Sequence, residues 1–149
     1  MRTEARVSIE RSADDCYQLM CDVERAPAWL AGLAAVEVVE RDADGRVVRA
    51  WFTAMPARGS LRYALRYDYD PAQRVVQWRS EEVALRELRG EARFTPAAPA
   101  DSRRGDRCIL TYVQEHATSD ALPAWARAVL AEESAEAVAC AFRRWVETA

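Results

Sequence analysis

The middle of the chain alternates apolar and polar residues in short runs, while both flanks carry helical spacing. Six stretches have the period-two pattern or β-rich composition of strands: Leu33–Asp42, Arg46–Met55, Ser60–Tyr69, Arg74–Ser80, Val83–Thr95 and Arg107–Glu115. A first strand, Thr3–Glu10, and a helix opening at Ser12 precede them. A long helix from about Asp120 to Glu147 follows the last strand. Strands grouped in one run, with helices at the sequence ends, predict an α+β arrangement on one antiparallel sheet. A sheet of about seven strands covered by one long helix curls and encloses space. Function is expected in that space.

The punctuation between these runs is chemically specific. Ser12-Ala-Asp-Asp15 resembles a capping box, with a hydroxyl for a first-turn N–H and acids at the positive helix end. Cys16, Tyr17, Met20 and Val23 then share one helical face. Pro27 starts a second short helix around Ala26–Leu30, which Gly32 ends. Asp42-Ala-Asp-Gly45 and Asp70-Pro-Ala-Gln73 are tight turns, and Met55–Gly59 is a looser one. Pro96–Asp106 lacks periodicity and is expected to be a hairpin loop. In the last helix, Leu130, Ser134, Val138, Ala141 and Trp145 fall on one stripe flanked by Ala126 and Ala137. Most of these side chains are small, so the helix is expected to cover the sheet without filling the volume beneath it.

Composition narrows the class. At 149 residues the chain is expected to form one domain. Net charge is −3 and arginines are scattered along the strands, so no nucleic-acid footprint is read. No apolar run approaches the roughly 20 residues of a membrane span. The start, MRTEARVSIE, has no apolar signal-peptide core, and a cytoplasmic location is expected. Cys16, Cys21, Cys108 and Cys140 lack CxxC spacing and are expected to be reduced core thiols. His116 is the single histidine, which argues against a histidine metal cage; no metal and no cofactor are expected. Lysine is absent, so Schiff-base and phosphate-loop lysines are excluded.

Candidate chemistry lies on the strands. Leu61, Tyr63, Leu65, Tyr67 and Tyr69 alternate with Arg62, Ala64, Arg66 and Asp68, giving a two-faced strand whose apolar face is rich in tyrosine. Val76 and Trp78, then Leu88, Gly90, Ala92 and Phe94, continue that character. Such a face suits an amphipathic pocket, or equally a filled core whose hydroxyls reach the sheet rim. His116, after Gln114 and Glu115, is either a solvated strand end or a proton carrier. Glu91 and Glu115 are either surface members of an alternating strand or acid/base groups, and Glu133 and Glu136 are expected near the edge of the helix stripe. No nucleophile–base constellation, glycine-rich phosphate loop or HExxH occurs.

Val7-x-Ile9-x-x-Ser12-Ala13-Asp14-Asp15-x-Tyr17, Asp22-Val23-Glu24-x-x-Pro27-x-Trp29-Leu30, and Val36-x-Val38 with Asp42 and Gly45 resemble the opening of SRPBCC proteins. That superfamily includes START-related lipid-binding domains, bacterial polyketide cyclases/dehydrases and coenzyme-Q-binding proteins. Tyr112-Val-Gln-Glu115 is similar to the last strand of aromatic polyketide aromatase/cyclases, and Phe142-Arg-Arg-Trp145 fits the final helix. The resemblance implies a helix-grip fold, with a curved antiparallel sheet wrapped around the C-terminal helix and a deep hydrophobic cavity between them. The aromatase/cyclase pattern would put pocket arginines at Tyr67 and Ser80 and a pocket tyrosine at Leu33, whereas Tyr112 and Gln114 keep a comparable identity. A one-residue slip would bring in Arg66 or Arg79, but it would turn each apolar set outward.

The resemblance implies a hydrophobic ligand, either a poly-β-ketone to be cyclised or dehydrated, or a lipid or quinone that is only carried. For the first, Tyr67, Tyr112 and Gln114 would bind carbonyl oxygens and His116 would move protons. Trp29, Leu33, Tyr63, Leu65, Trp78, Ser80, Leu88, Trp125, Leu130, Ser134, Ala137 and Ala141 would wall the ligand. A carrier protein and a second copy of the chain are the candidate macromolecular partners; neither nucleic acid nor stable membrane insertion is expected. A structural role with a collapsed cavity is the third possibility.

Overall fold

The computed structural model describes residues 2–54, 61–81, 88–97, 107–115 and 134–148, the side chain of Leu61 excepted. The elements are β1 Arg2–Ile9, α1 Ala13–Cys21, a 3-10 turn Val23–Arg25, α2 Ala26–Trp29, β2 Leu33–Arg41, β3 Val47–Ala54, β4 Leu61–Asp70, β5 Val75–Ser80, β6 Arg89–Pro96, β7 Cys108–Glu115 and α3 Ala135–Thr148. The strands form one curved antiparallel sheet in the order β1-β7-β6-β5-β4-β3-β2. Every neighbour in that order except β1 and β7 is also a neighbour in sequence, so the sheet is a meander closed by its first strand. The expected strands and short helices are present. Val83–Glu87, the Met55–Gly59 turn, most of the Pro96–Asp106 loop and residues 120–133 of the expected long helix lie outside the described residues. The described helix starts only at Ala135, with Ser134 ahead of it accepting from Ala137 N–H, so the expected single helix from Asp120 does not run unbroken through Ser134.

Local chemistry explains the joints. The Ser12 hydroxyl accepts from the Asp15 N–H at 3.1 Å and caps α1. Pro27 stands in the first turn of α2, where its missing N–H costs nothing. Between β2 and β3, the Asp42 carboxylate accepts from the N–H groups of Asp44 and Arg46 at 2.9 and 3.0 Å, and Gly45 adopts φ 83°. The Asp70 carboxylate similarly accepts from Gln73 N–H at 3.2 Å.

α3 runs across β1 and β7 and is anchored at both ends by the first strand region. Thr3 Oγ1 accepts from Ala135 N–H at 3.0 Å. At the other end Glu147 accepts from Glu10 N–H at 2.9 Å, and Arg11 donates to the Val146 carbonyl at 3.2 Å. The buried face of α3 is Ala135, Val138, Ala139, Phe142 and Val146. This corrects the expected stripe: Val138 belongs to it, Ala141 and Trp145 flank it, and Ala137 is exposed. Phe142 is fully buried, meets Trp29 edge-on at 5.1 Å and lies 5.8 Å from Phe94. Phe142 therefore fills the interior between Trp29 and Phe94. Cys16, Cys21 and Cys108 are buried free thiols, and burial holds Cys21 up at about 11.

Candidate functional site

Register sets the inner wall. Phe52 stands opposite Tyr63, Tyr67 opposite Trp78, Trp78 opposite Gly90, Gly90 opposite Gln114, and Ala92 opposite Tyr112. Because strand side chains alternate, one face collects these rings while the intervening arginines point outward. The rings form a connected set. Phe52 stacks on Tyr63 at 5.5 Å, Tyr67 lies 6.1 Å from Trp78, and Trp78 lies 5.4 Å from Tyr112. Gly90 makes this possible. A Cβ there would stand 2.1 Å from Trp78 Cε2, so the indole lies flat on bare backbone.

A cavity of about 80 Å³ separates this wall from the helices. From the sheet it is lined by Phe52, Tyr63, Leu65, Tyr67, Val76, Trp78, Leu88, Tyr112 and Gln114. Met20, Asp22, Val23, Ala26, Trp29, Leu30 and Leu33 close the side of α1 and α2, and Val138 contributes from α3. With roughly 10–15 Å³ needed to hold a water, the space takes several waters or one small ring.

Apart from Asp22, whose carboxylate lies 3.1 Å from Arg25 Nε, the polar groups of the lining sit on β4 and β7. Tyr112 Oη lies 3.5 Å from Gln114 Oε1, and Gln114 is the one buried polar or charged residue among the described residues. Tyr69, next on its strand, donates to the Val47 carbonyl at 2.5 Å. The Tyr67 hydroxyl makes no hydrogen bond with a described residue. Tyr67 keeps accessible surface, yet burial holds its phenol well above its ordinary 10, with Tyr69, Tyr63 and Tyr112 adding to the shift. A half-buried ring that lines the cavity turns its remaining surface toward that internal hollow. Tyr67 thus offers an uncharged O–H to that hollow.

Of the residues read from sequence, Trp29, Leu33, Tyr63, Leu65, Tyr67, Trp78, Leu88, Tyr112 and Gln114 meet around this one space. Ser80 does not. Its hydroxyl accepts from Leu88 N–H at 3.1 Å and serves the β5–β6 connection. Ser134 is likewise occupied, accepting from Ala137 N–H at 3.2 Å at the start of α3. Ala137 points to solvent, and Ala141 is half-buried outside the lining. Glu136 is exposed. His116, Trp125, Leu130 and Glu133 lie outside the described residues. The sequence reading missed Phe52, Met20, Asp22, Val23, Ala26 and Leu30 as wall residues; the Ala50-Trp-Phe-Thr-Ala54 alternation carried a signal for Phe52. Arg66 and Arg79 face away from the cavity, because the pairing of Tyr67 with Trp78 fixes the register that excludes them. Among the described residues, no group of three or more His, Cys, Asp or Glu could hold a metal ion. No helix there is long and apolar enough to cross a membrane.

A family profile described as polyketide cyclase / dehydrase and lipid transport matches residues 9–143. The chain belongs to this family. It shares the START/SRPBCC fold with many solved structures. A START superfamily protein from Mycobacterium smegmatis superposes with a TM-score of 0.78 at 19% identity, covering 99% of this chain and 97% of that one. The ZhuI aromatase/cyclase from Streptomyces sp. R1128 gives 0.74 at 22% identity over 95% of this chain and 87% of its own. The di-domain ARO/CYC BexL gives 0.70 at 20% identity over 99% of this chain, which spans 46% of that protein. No curated protein sequence matches significantly.

Proposed function

We propose that this family member binds an apolar, carbonyl-bearing small molecule in the cavity and guides cyclisation or dehydration of a poly-β-ketone, in the manner of a polyketide cyclase/aromatase. The observation that carries the proposal is the Tyr67 hydroxyl, neutral, desolvated and without a hydrogen-bond partner among the described residues, in a wall of aromatic rings. Such a group donates to a carbonyl oxygen and does not act as a base, because the phenolate is disfavoured there. In the proposed step an α-carbon loses a proton as it bonds to a carbonyl carbon. That carbonyl oxygen gains a proton beside Tyr67, and later loss of water completes dehydration. Tyr112 and Gln114 would orient neighbouring oxygens, and His116 would carry the α-proton. Trp29, Leu33, Tyr63, Leu65, Trp78 and Leu88 would hold the carbon skeleton. A guest longer than one ring requires the wall to open, since pockets for drug-sized ligands run to about 300 Å³ or more.

A second possibility, non-catalytic carriage of a lipid or quinone, is favoured by the absence of arginine among the described lining residues. Incubating Tyr67→Phe and His116→Ala variants with a poly-β-ketone separates the two. A changed product distribution supports the cyclase, and an unchanged one leaves only the carrier. Val138→Trp, which fills the cavity from α3, should abolish uptake of an apolar probe under either possibility. Undiminished uptake would remove the cavity from function.

A further inference from the structure

The outer face of the sheet carries an arrangement that strand sequence alone does not reveal. Reading cross-strand partners along one transverse line gives Arg49 on β3, Arg66 on β4, Arg79 on β5, Arg89 on β6, Glu115 on β7 and Arg2 on β1. Four arginines thus stand directly opposite one another in succession. Side chains in that relation have Cβ atoms about 5 Å apart, inside the screening length of physiological salt, and like charges so placed repel. A row of this kind needs anions between its members.

One such anion is supplied by the chain itself. Glu81 lies between the first two, with Oε2 2.7 Å from Arg49 Nε and Oε1 3.2 Å from Arg66 Nε. The next two, Arg79 and Arg89, are the same directly opposed pair, exposed on adjacent strands, and neither makes an ion pair with a described residue. Glu115 stands directly opposite Arg89 but turns its carboxylate to Arg2, and no described acid forms an ion pair with either arginine. Glu115 is 3.4 Å from Arg2, Glu91 accepts from Gln77 at 2.8 Å, and Asp68 stands opposite Gln77 with no ion pair. Both arginines open onto a solvent-exposed groove of about 410 Å³.

We propose that Arg79 and Arg89 form an anion site on the outer face of the sheet, taking a compact soluble dianion of the phosphate-monoester class. Two guanidinium forks match the charge and the several oxygens of such a group. Compactness follows from the rim, because Asp68, Glu91 and Glu115 repel any broad anionic surface laid across the groove. The site lies on the opposite face from the cavity and does not depend on what the cavity binds.

The test titrates the full-length protein with ethyl phosphate in buffer at physiological salt, following arginine side-chain Nε–H resonances by NMR. The expected result is a saturable shift of the Arg79 and Arg89 signals. The Arg79→Gln/Arg89→Gln double variant should bind about tenfold or more weakly. It should also unfold at the same or a higher temperature, because a repulsion has been removed. Arg93→Gln, an outward arginine on the same strand, should change affinity by less than about twofold. Absence of a saturable shift, an equal loss in Arg93→Gln, or binding only to phosphatidic acid vesicles and not to ethyl phosphate would each overturn the proposal.

Discussion

Tyr67 and Tyr69 are two positions apart on one face of β4, yet their hydroxyls have opposite circumstances. Tyr69 satisfies a backbone carbonyl, whereas Tyr67 ends in the hollow without a described partner. Tyr69→Phe should therefore destabilise the protein by about 1 kcal/mol, and Tyr67→Phe should be neutral or slightly stabilising in urea unfolding. The same Tyr67→Phe protein should bind a cyclic ketone probe more weakly than a hydrocarbon of equal size, by titration calorimetry. Gly90 is the other residue on which the wall depends. Gly90→Ala should cost about 1–3 kcal/mol by denaturant melt, as the new methyl drives Trp78 off the strand and into the cavity. Its uptake of a small aromatic probe should fall in parallel.

Among the elements, α3 shows how a helix is placed by its ends. Thr3→Val removes the acceptor for Ala135 N–H and should lower stability by about 1 kcal/mol, read from the chemical-denaturation midpoint. The sequence makes β4 legible because period-two alternation of Leu, Tyr and Arg allows only two orientations, and one of them buries arginine. The hairpin turns are legible because Asp42, Gly45 and Asp70 each perform a local backbone task. α3 is less so. Alanines at 135, 137, 139 and 141 give almost no contrast around the helix, so a stripe drawn through Ala141 and Trp145 looks as good as one through Phe142 and Val146. The choice comes from tertiary packing, where Phe142 meets Trp29 and Phe94. The arginine row is illegible for another reason: it depends on the register of three separate strand pairings, which no single strand's pattern contains.

For the whole molecule, buried phenols and thiols set a limit at high pH. Tyr17, Tyr67 and Tyr69 are all held above their ordinary value, with burial the leading cause, and Cys21 is pushed up to about 11 by the same effect. A group with a raised folded-state pKa contributes its full stabilisation below its unfolded value, and loses it as pH climbs toward the folded one. Stability contributed by these groups should be flat through neutrality and decline from about pH 9–10 upward, as fluorescence-monitored urea titrations across that range would show. Finally, Arg2–Ile9 pairs along its length with Cys108–Glu115, joining the earliest strand to the latest. A ribosome making this protein must therefore deliver the roughly one hundred residues between Ile9 and Cys108 before β1 finds its neighbour. Until then the nascent chain presents an unzipped border to every other chain nearby, and its need for a chaperone lasts until β7 emerges.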